Sequence, residues 1–303
     1  MSEESLILNS YILPGLPHLL LTPDKNPGWQ KLNQAMKNVG KEIQNSGAEI
    51  LILYSTYWPS IIGHQIQARE NAEWILVDDQ FHELGSIPYK LKFDSKFAEI
   101  YKKECEKRKL QARTIDYEGF PIDTGSVTVL KLINPDNKIP CVIVSSNIYS
   151  DRAETVILGK ATLDAIRASG KKAVLVAITS LSNRLATKRV DPKDDEISSL
   201  KDHEWNLKFL EFLNEGRLED AAQLSRQFHV EARVPKVSNF KPFWWLSAVN
   251  GQHNSFNGQV YEYAPVCGTG AAVVGLEPCP GKARDLEFDE DDPDTYAGDR
   301  PVL

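Results

Sequence analysis

Three short, unbroken apolar runs constrain this chain more than any other feature: Glu49–Tyr54 (EILILY), Cys141–Ser146 (CVIVSS) and Ala173–Ile178 (AVLVAI). A strand with one solvated face alternates apolar and polar residues, so a continuous run predicts a strand covered on both faces. Leu6–Leu13 reads as a further strand, running into the Pro/Gly loop Pro14–Pro17. Helical spacing lies between these runs. Trp29–Ser46 repeats apolar residues at Leu32, Met36, Val39 and Ile43 and stops near Gly47, and Glu154–Ser169 has the same period. Strand–helix–strand alternation predicts an α/β fold whose central, mostly parallel sheet is flanked by helices.

Downstream, helices are expected at Leu207–Glu215 and Leu218–Phe228, with a Trp-rich one at Phe240–Val249. Gln259–Ala264 alternates like a strand and leads to Gly268–Thr269–Gly270, read as a tight turn before a core segment. No internal repeat is visible. Residues 1–280 are taken as one α/β domain. From Gly281 to Leu303 the composition turns acidic (Glu287, Asp289, Glu290, Asp291, Asp292, Asp294) with little to bury, so a solvated, mobile tail or a segment lying on a partner is expected.

The bulk properties exclude several classes. The 303 residues are 42% hydrophobic and 25% charged, enough for a substantial core. A net charge of −7 and the lack of a Lys/Arg block argue against nucleic-acid binding. Cys105, Cys141, Cys267 and Cys279 show no CxxC spacing and read as reduced thiols. Neither a membrane-length apolar run nor a signal-peptide pattern is present, so a cytoplasmic location is expected.

Candidate chemistry gathers at predicted strand ends. His18 follows the first strand and His64 follows the second, where open α/β sheets hold their ligands. Two histidines so placed begin a metal site, yet no third ligand is evident and ordinary polar loop residues explain both. His82, His203, His229 and His253 have no metal-ligand spacing, and no HExxH, Walker or nucleophile-elbow motif occurs. Tyr117–Gly125 carries Glu118 and Asp123, which either line a cleft or, for Asp123, bond a turn.

Several blocks, in order, resemble the class III extradiol dioxygenases of the protocatechuate 4,5-dioxygenase type: Leu13–Pro17 (LPGLP), Leu53–Trp58 (LYSTYW), Asp116–Gly125 (DYEGFPIDTG), Ser180–Ser182 with Val190–Pro192, Glu231–Arg233, and Gly268–Val273 (GTGAAV). The similarity runs over roughly residues 5 to 275, and within the two-subunit 2-aminophenol dioxygenase branch it favours the α subunit over the catalytic β subunit. Catalytic members hold Fe(II) with two histidines and a glutamate. The resemblance equates the first ligand position with Gly15, leaving His18 as the surviving histidine of that loop, and the second with Tyr57. It sets Asn183 where the family has its acid/base histidine, and Pro235 nearest the glutamate. Glycine has no donor atom, and an amide cannot shuttle a proton near neutral pH.

The resemblance implies a non-catalytic α-type subunit, or a homologue of one, with no cofactor of its own. Its Fe(II) would sit in a catalytic β-type partner, and self-association and a small aromatic ligand are the other expected contacts. Trp74, Phe81, Trp244 and Trp245 are the candidate interface aromatics, with core packing preferred for the last two. Two alternatives remain open. One is an enzyme with a repurposed strand-end cleft using His18, Tyr57, His64, Asp123 and Asn183; the other is a stand-alone binding or regulatory protein that docks through its acidic tail.

Overall fold

A computed structural model of the chain describes residues 6–187, 190–234 and 240–287. In chain order its strands are β1 (Ile7–Leu13), β2 (Ile50–Ser60), β3 (His64–Gln67), β4 (Asn71–Val77), β5 (Ser86–Lys92), β6 (Ala112–Ile115), β7 (Cys141–Asn147), β8 (Ala173–Ile178), β9 (Phe256–Val266) and β10 (Thr269–Pro278). The helices are α1 (His18–Leu21), α2 (Pro27–Asn45), α3 (Ser95–Lys107), α4 (Thr124–Ile133), α5 (Arg152–Ser169), α6 (Leu200–Asn214), α7 (Leu218–Ala232) and α8 (Lys241–Val249).

The predicted apolar runs form the centre of an eight-stranded sheet ordered β6-β3-β7-β2-β8-β1-β10-β9. β2 is parallel to β7 and β8, and β8 is parallel to β1. The hairpin β9–β10 adds antiparallel strands beside β1, and β3 meets β7 antiparallel at the other side. The unbroken apolar runs follow from two covered faces. Ile50, Ile52, Tyr54, Val142, Val144, Leu175 and Ala177 pack one core with α3 and α5–α8. Leu51, Leu53, Ile143, Val174, Val176 and Ile178 pack the other with α1, α2, α4 and β5. Each fully buried aliphatic side chain in these runs contributes about 1.5–3 kcal/mol relative to exposure.

Caps set the helix starts. Asn26, Asp123, Asp151 and Ser199 accept backbone N–H groups at the starts of α2, α4, α5 and α6. The left-handed Gly170 ends α5. Helix α6 begins at Leu200, earlier than the expected Leu207, because Ser199 caps a polar first turn that lacks apolar periodicity. Trp244 and Trp245 are buried, as their core reading expected, whereas Trp74 on β4 is 64% exposed. The turn at Gly268 joins β9 to β10, with Cys267 (φ 51°) and Gly268 (φ 84°) both left-handed, the backbone of a tight two-residue hairpin. At the start of the acidic tail, Arg284 N–H donates to Asn254 O and Glu287 N–H donates to Asp220 Oδ1. The acidic residues from Asp289 onward lie outside the described residues.

Candidate functional site

The carboxyl ends of β1, β2 and β8 converge. β1 gives way to Gly15, and Thr179, just past β8, donates its N–H to Leu13 O at 3.1 Å. β2 keeps regular parallel register with β7 to Ser55 and resumes only at Pro59. Such an irregularity re-aims the side chains within it. Thr56 Oγ1 anchors this stretch by donating to Ile178 O at 3.0 Å, and the Tyr57 ring turns toward β1 and α4.

That ring occupies the space a side chain at position 15 would need. A Cβ built on Gly15 would lie 2.6 Å from Tyr57 Cε2, 2.8 Å from Gly125 Cα and 2.9 Å from Ile178 Cγ2. A Cβ on Gly125 would lie 2.4 Å from Tyr57 Cδ2. Two glycines therefore accept one tyrosine ring between them. Burial pushes the Tyr57 phenol well above its ordinary value, with the charges of Asp123 and Asp78 adding to the shift. The Arg233 charge and a hydrogen bond from the Gly15 backbone act the other way. The phenol stays protonated near neutral pH.

Asp123 caps α4 through Oδ1, which accepts from Ser126 N–H at 2.9 Å and from Ser55 Oγ at 2.8 Å. Burial raises its carboxyl above the ordinary 3.8, while these hydrogen bonds pull it down. Its Oδ2 is buried with no hydrogen-bond partner among the described residues.

Asn183 Oδ1 accepts from Val234 N–H at 2.8 Å, so this amide fastens the start of the segment that contains Pro235. Pro235 itself lies outside the described residues. Beside this tie the Arg233 guanidinium donates to Ser180 O at 2.6 Å and to Leu181 O, and lies 4.4 Å over the Phe240 ring. Burial pushes its pKa down to about 9, opposed by Tyr57. Residue chemistry gave Arg233 no role. The only signal available was its place in the Glu231–Arg233 block.

The two histidines go to different places. His18 is buried on the α2 side, edge-on to Trp29 (centroids 5.1 Å) and Phe81 (4.5 Å), with Cys267 Sγ 3.3 Å from Nε2. Burial lowers its pKa, against the charges of Asp195, Glu83 and Asp78. His64 is buried in β3 on the opposite face, its Nε2 3.2 Å from Glu154 Oε1 of α5. The structure thus brings Gly15, Tyr57 and Asp123 together and leaves His64 apart from them. Among the described residues, no group of three or more His, Cys, Asp or Glu side chains is arranged to hold a metal ion.

A cleft of about 600 Å³ opens beside Tyr57, between the β4–β5 connection and the Phe120–Thr124 segment. Trp58, Trp74, Phe81 and Phe120 wall it, and Asp78, Asp79 and Asp123 supply its charge.

The sheet, with helices on both faces and a cleft at the carboxyl ends of its strands, makes this an open α/β protein with its cleft where such folds hold their ligands. Residues 10–274 match the family model described as the catalytic LigB subunit of aromatic ring-opening dioxygenase, and the chain belongs to this LigB family of class III extradiol dioxygenases. It is 30% identical over 270 residues to the 2-aminophenol 1,6-dioxygenase alpha subunit of a Pseudomonas species, covering 88% of this chain and 98% of that one. Against the beta subunit of the same enzyme it is 30% identical over 302 residues, covering 91% and 98%. The crystal structure of an uncharacterized Escherichia coli K12 protein shares the fold at a TM-score of 0.62 and 14% identity, covering 89% of this chain and 99% of that one. No described helix is long and apolar enough to cross a membrane.

Proposed function

We propose that this chain is a non-catalytic, α-type member of its family. It pairs with an iron-bearing β-type subunit, or with a second copy of itself, and holds a small aromatic ligand without opening its ring. The observation that carries this reading is the Tyr57 ring, seated where a side chain at position 15 would have to project. A histidine at position 15 and the present Tyr57 exclude each other sterically, so the two departures from the family's ligand pattern form one packing unit. Glycine offers no donor atom, and a phenol is a poorer ligand for ferrous iron than the imidazole of the family pattern. Asn183, spent on the Val234 backbone, holds chain in place and moves no proton.

Pairing draws support from the two Pseudomonas relatives, whose names describe the alpha and beta subunits of one dioxygenase. A reading in which His18 and His64 rebuild a metal centre needs them on one side of the sheet, and they face opposite sides.

Anaerobic Fe(II) calorimetry on the purified chain tests the proposal. Binding no tighter than millimolar is expected, together with co-purification when an intact β-type homologue is co-expressed. Stoichiometric micromolar binding that His18→Ala or His64→Ala abolishes would overturn it.

A further inference from the structure

The cleft beside Tyr57 has an unusual charge balance. Asp78, Asp79 and Asp123 line it, and no described Lys, Arg or His does. The acids are held in different ways. Asp78 Oδ1 is fixed by accepting the N–H groups of Gln80 (2.9 Å) and Phe81 (2.8 Å). Asp79 is exposed at the mouth. Asp123 brings its buried Oδ2, a carboxylate oxygen with no hydrogen-bond partner among the described residues. A buried anionic oxygen without a donor is costly unless something supplies one.

The walls are aromatic and partly preformed. Trp58 and Phe120 pack at 5.7 Å between centroids, and Phe120 is held edge-on by Tyr117 at 5.2 Å. Across the opening Trp74 stands 64% exposed. Aromatic faces carry negative charge density and attract cations, so the walls and the carboxylates select the same sign of ligand. A phenolate or carboxylate would meet three acids and no cation.

We propose that this cleft binds a small organic cation, an arylalkyl ammonium whose ring lies among Trp58, Trp74, Phe81 and Phe120 and whose charge faces Asp78, Asp79 and Asp123. This deepens the ligand-holding part of the proposed function, since it gives the ligand a charge. It does not depend on which subunit the chain pairs with. The cleft is a receptor site, and no bond is made or broken in it.

The experiment is a titration of the full chain with three matched compounds, 2-phenylethylammonium, 2-phenylethanol and 3-phenylpropanoate, followed by calorimetry and tryptophan fluorescence. The ammonium is expected to bind at least about tenfold more tightly than the alcohol, with the anion weakest. Asp79→Asn, at an exposed position, and Asp78→Asn, which keeps the oxygen that accepts Gln80 and Phe81, should each weaken the ammonium alone. Trp74→Ala should weaken ammonium and alcohol together. Circular dichroism confirms that each variant is folded. Equal affinity for ammonium and alcohol, tighter binding of the anion, no binding of any of the three, or an ammonium affinity indifferent to both Asp changes overturns the assignment. A chain that bound iron and still preferred the ammonium would sink the non-catalytic reading and leave this one standing.

Discussion

At position 15 a missing side chain and at position 57 a large one are two halves of a single packing solution. The Tyr57 ring fills the gap, and its contacts with the Gly125 backbone close the other side. Gly15→Ala is therefore expected to cost about 1–3 kcal/mol, as overpacking usually does. In a Tyr57→Ala background the same change should cost measurably less, with part of the penalty remaining because Gly125 Cα and Ile178 still crowd the site. Thermal denaturation of the four proteins gives the coupling directly. Strict additivity would show that the ring is not the obstacle. The residue types at 15, 57 and 183 were legible in the chain, but their mutual exclusion was not. A Gly and a Tyr far apart in sequence carry no sign that one occupies the other's space.

Among the elements, α4 shows how weak local preference can be. Thr124–Ile133 (TGSVTVLKLI) is rich in β-branched residues and resembles a strand, yet it folds as a helix capped by Asp123 and buried against α2 and β2. Asp123→Ala should remove the cap and cost about 1 kcal/mol, while Asp123→Asn keeps it. The two acceptable caps differ in their response to pH. Burial raises the Asp123 carboxyl above 3.8, so the native chain holds this proton more tightly than the unfolded chain. The stability tied to that proton is complete below about pH 4 and is lost as pH rises through the native value. The Asn variant has nothing to lose, so its stability relative to the parent should grow between pH 4 and pH 7 in urea titrations. A difference that stays flat with pH would show that the carboxylate is not penalised. The β4–β5 hairpin carries a similarly weak local signal. β5 alternates cleanly, burying Ile87, Tyr89 and Leu91, but it is short and broken by Pro88.

Across the whole molecule, Arg233 joins parts of the chain that sequence keeps far apart. It leaves the end of α7, donates to the carbonyls of Ser180 and Leu181 beyond β8, and lies over Phe240 at the start of α8. Arg233→Met would strand buried carbonyls and is expected to cost about 2–4 kcal/mol. Arg233→Lys should recover less than half of that, because an ammonium does not reproduce the planar stacking over Phe240. Equal stability of the Lys variant and the parent would remove Arg233 from this role. The sequence by itself determined the central strands β1, β2, β7 and β8, their covered faces and the family, because continuous apolar runs and ordered motif blocks are local signals that survive without coordinates. Only the tertiary structure decided that His18 and His64 lie on opposite faces, that Tyr57 excludes a side chain at 15, and that Asp78, Asp79 and Asp123 share one aromatic cleft. Those are facts of which strand lies beside which and where β2 loses its register, and both are set by long-range packing that no single segment encodes.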